Sequence, residues 1–194
     1  MNRRLNQILM FIAIIGGIGY GIIKITDGDF YSSLICFSII PVMFVPYLLE
    51  KMFHLKFTNQ MATIYYIYIF FAHFLGSILN FYYLIPGYDK VMHFLSGMLS
   101  AFLALILLVH MKHYKKRDLF FTILFVSAIT LSIASLWEFY EFTFDNLFGK
   151  DAQNVVATGV SDTMWDMIMA FLGSIIVIIL YIREVRRKKA GIVL

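Results

Sequence analysis

The chain has 194 residues, of which 61% are hydrophobic, 18% aromatic and 14% charged, with a formal net charge of +4. Soluble domains are about 45–50% apolar and about 25% charged, and so few charges cannot cover a water-facing surface. A soluble globular protein, a disordered chain and a secreted disulfide scaffold are therefore excluded, and an all-α integral membrane protein is expected.

Each membrane crossing needs about 20 mostly apolar residues, and six stretches qualify. The first, at 5–24, follows Arg3 and Arg4 as a signal peptide would. Its apolar run is long and no small-residue cleavage pattern precedes Lys24, so a retained helix is expected. Gly17 and Gly21 give it a small-xxx-small pair that permits close helix approach. The second, at 30–50, holds Pro41 and Pro46, which predict a kink, and the lone Cys36, which reads as a small packing residue. The third, at 60–80, is aromatic (Tyr65, Tyr66, Tyr68, Phe70, Phe71) and carries His73 and Asn80 in its outer half. His73 reads as structural. Phe81, Tyr82, Tyr83 and Tyr88 around Pro86-Gly87 form an interfacial belt. The fourth, fifth and sixth spans cover 90–110, 119–142 and 162–183. Between the last two, 143–161 is the longest connection, expected as a surface loop, a short interfacial helix or a re-entrant cap. No linker or repeat divides the chain, so 1–194 reads as one membrane domain.

Lys and Arg set orientation. All of them except Lys24, Lys90 and Lys150 fall on one side: Arg3, Arg4, Lys51, Lys56, Lys112, Lys115, Lys116, Arg117, and a tail of Arg183, Arg186, Arg187, Lys188 and Lys189. With six spans, both termini are expected in the cytoplasm. The tail reads as a topology anchor that touches anionic lipid, and membrane lipid, not nucleic acid, is the expected partner. His54, His110 and His113 fall on the same side as surface residues. The acids are biased the opposite way: Glu50, Asp118 and Glu184 are cytoplasmic, whereas Asp27, Asp29, Asp89, Glu138, Glu141, Asp145, Asp151, Asp162 and Asp166 lie toward the outer face. Orientation does not require this bias, because Asp and Glu contribute little to topology.

Three spans share the cause. The fourth begins with Asp89 and His93 at i, i+4, continued by Ser96 and Ser100; Gly97 lies in the same turn. The fifth ends with Ser135, Trp137 and a stripe of Glu138, Glu141 and Asp145. The sixth begins with Asp162 and Asp166, again one turn apart, with Trp165 between them and Gly173 two turns deeper. A charge at mid-helix in lipid costs at least about 2.5–3.5 kcal/mol, so the stripes are expected to face one another in a polar pocket open to the outer side. Crowded carboxylates there repel unless a proton or cation joins them. Plainer roles exist: Asp89 and Asp162 stand where an acid caps a helix N-terminus, and His93 alone suits a packed, hydrogen-bonded core. Glu138 and Glu141 resist that reading, because acids are unfavourable near a helix C-terminus.

An oxygen-rich set with imidazole suits zinc, manganese or iron, and bundle metal sites draw Glu and His from facing helices. Asp89, His93, Glu138, Glu141, Asp162 and Asp166 are the candidate ligands of a divalent cation, with His93 or Glu138 as a catalytic base. No HExxH, P-loop, GxGxxG or GxSxG motif is present.

Asp89-Lys-x-x-His93-Phe, Trp137-Glu138-x-x-Glu141 and Asp162-Thr-x-Trp-Asp166-Met, with Gly173, resemble the YjdF-type bacterial inner-membrane proteins over residues 85–180, and more distantly the VanZ-like proteins. The resemblance implies a small multi-spanning protein of the bacterial inner membrane without an assigned activity. The VanZ-like proteins are associated with glycopeptide-antibiotic tolerance. Glu141, where VanZ-like proteins often have Gln, and Ala170, where they often have Asn, depart from that pattern, and Glu141 makes this chain more acidic.

Three functions are compatible with the residues. The leading one is a cation-dependent site acting on, or binding, a lipid or polyprenyl headgroup by hydrolysis or transfer. An ion-coupled carrier ranks lower, because the inner halves of the last spans are apolar (Leu103 to Leu108, Ile175 to Leu180). A non-catalytic membrane partner is the third.

Overall fold

The computed structural model describes residues 3–55, 58–111 and 118–189, and these are helical with no strand. Lys56, Lys112, His113, Lys115, Lys116 and Arg117 lie outside the described residues, as do the side chains of Arg3, Lys188 and Lys189. The chain forms two compact units, Met1–Asp89 and Lys90–Leu194. Among the described residues, five helices are long and apolar enough to cross a membrane, or six when one bent pair is a single span.

In the first unit, α1 (Arg3–Thr26) turns at Gly28, whose φ of 77° suits glycine, into α2 (Phe30–Met43). Asp29 caps α2 by accepting from the Ser32 amide at 3.1 Å. Gly17 and Gly21 lie against Cys36, Phe37 and Ile39 of α2, the close approach expected of a small-residue pair. Cys36 is buried in the core with Ala13, Ile39, Met43, Ile69 and Ile78. The expected kink is a break: α2 stops at Phe44 and α3 (Val45–Phe53) leaves at 45°, because Pro41 has no amide to donate and Pro46 starts the next helix.

The third span begins as α4 (Asn59–Ile69), anchored where Thr63 donates to the buried Asn6 side chain. It continues as a π-helix over Phe70–Ile78, which its sequence pattern did not predict. π geometry is rare and mostly confined to single turns. Within it, His73 Nε2 lies 3.0 Å from Ser38 Oγ and 3.1 Å from the Ile35 carbonyl oxygen, so its polar edge is spent on α2. A short α5 (Phe81–Leu84) closes the unit.

The second unit is built from three long helices: α6 (Tyr88–His110), α7 (Leu119–Phe148) and α9 (Ser161–Lys189). Asp118 caps α7 by accepting from the Phe121 amide at 2.9 Å. Ala101, Ala104, Val126, Val177 and Ile178 pack an apolar core between the three. The fifth span is longer than expected and runs six residues past 142. Thr143 and Asn146 donate back to the carbonyls of Phe139 and Phe142, so polar residues stay inside the helix. Rings of Trp137, Tyr140, Phe144 and Phe148 stack at 5.3, 4.9 and 4.7 Å along one face. Gly149, at φ 62°, then ends α7. The remaining connection holds the one-turn α8 (Val155–Thr158).

Candidate functional site

The close approach of α6 and α9 positions the polar residues. An added Cβ on Gly97 would collide with the Ala170 backbone carbonyl, and one on Gly173 with the Phe94 carbonyl. The two helices therefore meet backbone to backbone at a mutual pair of glycines. One turn and more toward their N-terminal ends, this brings Lys90 and His93 of α6 to Asp162 and Asp166 of α9.

Lys90 Nζ lies 2.6 Å from Asp162 Oδ1 and 2.7 Å from Asp166 Oδ1, bridging two carboxylates one turn apart. His93 Nε2 faces the same Asp166 oxygen at 3.8 Å. Side-chain exposure falls from 28% at Lys90 through 16% at Asp162 and 9% at His93 to 4% at Asp166, so the cluster has a wet rim and a dry floor. Asp89 stands in the first turn of α6. One ligand atom each of Asp89, His93 and Asp166 lies within 4.8 Å of the others, a group able to hold a metal ion.

The other predicted site residues make contacts of their own. Asp162 is engaged with Lys90. Glu138 is buried on α7, and Gln153 Nε2 donates to its backbone oxygen at 3.2 Å and to its Oε2 at 3.3 Å. Glu141 accepts from Trp137 Nε1 at 2.8 Å. Asp145, the third acid of that stripe, accepts from the amides of Ala152 at 2.7 Å and Gln153 at 3.0 Å, folding the chain back over the end of α7. Ser96 Oγ donates to the His93 carbonyl, and Ser100 is buried below it.

Two participants were not foreseen. Lys90 registered only as an exception to the basic-side bias; the signal was its place beside Asp89 and three residues before His93, a lone ammonium in an acidic stripe. Gln153 carried no signal, because its burial depends on the folding back of the loop around Asp145.

A family model described as Predicted membrane protein (DUF2238) matches residues 5–187, across both units. No curated protein and no solved structure matches the chain.

Proposed function

We propose, from the premise that this chain belongs to the predicted membrane protein family DUF2238, that helices α6 and α9 carry a divalent-cation site at the extracytoplasmic end of a multi-pass protein of the bacterial cytoplasmic membrane. The observation behind this reading is the convergence of Asp89, His93 and Asp166 within 4.8 Å on the N-terminal ends of α6 and α9. The 3.8 Å between His93 Nε2 and Asp166 Oδ1 is too long for a good hydrogen bond, and closing it by about 0.4 Å would admit a tetrahedrally held ion with bonds of about 2.1 Å to both. Two carboxylates and an imidazole suit manganese, iron or zinc.

The extracytoplasmic placement follows from charge. Arg183, Arg186 and Arg187 occupy the far end of α9 from Asp162 and Asp166, and basic residues mark the cytoplasmic side. A helix end at the membrane surface meets lipid headgroups, so an anionic lipid or polyprenyl headgroup is the fitting guest. Carboxylates alone repel phosphate; a bound cation neutralises it and orients it. Hydrolysis or headgroup transfer is the chemistry such a site suits, with Glu138 as the remaining candidate base. The apolar core of Ala101, Ala104, Val126, Val177 and Ile178 below the cluster favours a one-sided site over a path for ions.

Metal content and Mn²⁺ titration of the purified protein test the reading. About one bound ion per chain is expected, removed by chelator and abolished in His93→Ala and Asp166→Asn. A protein that neither carries nor takes up a divalent ion overturns it. A second reading rests on Lys90, whose two short ion pairs suit a permanent staple between α6 and α9. That reading expects no ion in the wild type.

A further inference from the structure

We infer that Lys90 is the site's resident counter-ion, a tethered ammonium that stands in the cation's place at Asp166 and swings away when a divalent ion binds. The inference rests on the cation-site reading above and adds what regulates that site.

The geometry imposes a competition. Asp166 Oδ1 is the atom that faces His93 Nε2, and it is also the atom that Lys90 Nζ holds at 2.7 Å. An ion shared by His93 and Asp166 would lie against the ammonium, and two cations that close repel strongly in a site largely shielded from water. Either the ion stays out or the ammonium moves.

Lys90 is built to move. At 28% it is more exposed than Asp162, His93 or Asp166, its four-carbon stem is flexible, and its donors rotate freely. It also has somewhere to go. Asp162 already holds Nζ at 2.6 Å and stands nearer the water, at 16% exposure against 4% for Asp166. A small rotation takes the ammonium off Asp166 and leaves it on Asp162, so the rim keeps its ion pair while the floor exchanges its partner. His93 and Asp166 stay where the glycine contact between α6 and α9 holds them.

Lysine at this position thus sets a threshold. Without an ion, the floor carboxylate is paired and the helix ends stay together. With one, the carboxylate is released to ligate it. The affinity measured for any divalent ion is then the intrinsic affinity reduced by the cost of displacing Lys90.

Mn²⁺ titration of the full-length protein in detergent, followed by electron paramagnetic resonance, tests this on the wild type, Lys90→Met and His93→Ala. Lys90→Met is expected to bind Mn²⁺ at least about tenfold more tightly, while His93→Ala loses binding. In parallel, the rate at which an amine-reactive reagent labels Lys90 in the wild type is measured by mass spectrometry. It is expected to rise several-fold on saturation with Mn²⁺. Equal or weaker binding by a folded Lys90→Met, with His93→Ala still defective, overturns the counter-ion role and leaves the cation site standing. Should Lys90→Met fail to fold, the labelling decides: a Lys90 rate that Mn²⁺ leaves unchanged or lowers sinks the inference. No Mn²⁺ uptake by any variant removes both readings together.

Discussion

Gly97 and Gly173 each meet a backbone carbonyl of the facing helix, Ala170 and Phe94 respectively, and backbone cannot rotate out of the way as a side chain can. Adding one methyl at Gly97 forces α6 and α9 apart at the level directly below the charged cluster. Overpacking of this kind costs about 1–3 kcal/mol. Gly97→Ala is therefore expected to lower the thermal midpoint in detergent and to weaken Mn²⁺ binding, though it touches no ligand. Gly19→Ala is the control, since an added Cβ there meets nothing within 4 Å. If both variants melt and bind alike, the glycine contact does not position the site. The same residues show how charge is apportioned. Lys90 answers two of the carboxylates, Gln153 a third and Trp137 a fourth, so an acidic stripe in one dimension becomes several separate partnerships in three.

At the scale of elements, α7 and the connection after it form one device. Its 30 residues would extend about 45 Å at 1.5 Å per residue, well beyond a hydrocarbon core of about 30 Å. The overhang carries the aromatic ladder and Asp145, and Asp145 draws Ala152 and Gln153 back so that the Gln153 amide reaches Glu138 on α7 and Thr163 on α9. Hydrogen bonds to a charged group contribute about 1.5–3 kcal/mol each. In Asp145→Ala, hydrogen exchange at the amides of residues 150–158 is expected to quicken about ten- to a hundredfold, while the core of α7 keeps its protection. Unchanged exchange would mean that the loop is held by something other than this carboxylate. The π-helical stretch at Phe70–Ile78 is the counterpart in the first unit, where His73 is fixed to Ser38 and Ile35.

For the whole molecule, the placement of Lys and Arg governs orientation. Basic residues gather at the N-terminal end of α1, between the second and third spans, between the fourth and fifth, and at the end of α9. Six crossings would put both termini in the cytoplasm. A cytoplasm-active reporter fused at either end is expected to be active and an export-active reporter silent; the opposite result at one end means an odd number of crossings. Among the described residues the count is six when the bent pair α2 and α3, broken by 45°, crosses as one span. The family match over residues 5–187 reaches into every one of these helices.

Class and helix positions were legible in the sequence, because they depend on composition and on periods of a few residues. Gly17, Gly21 and Cys36 were read correctly as packing residues for the same reason: small size in an apolar helix has one main use. The break at Phe44 was foreshadowed by its two prolines. What the tertiary structure alone decided is which charges meet. Asp162 and Asp166 stand one turn apart on one helix, yet the first lies at the rim with Lys90 and the second on the floor beside His93. Glu138, in the same sequence stripe as Glu141, is buried against Gln153 while Glu141 turns to Trp137. Spacing along a helix fixes which face a side chain shares. Its partner depends on a second helix, and here that helix is held close by glycines too far away in sequence for any local pattern to report.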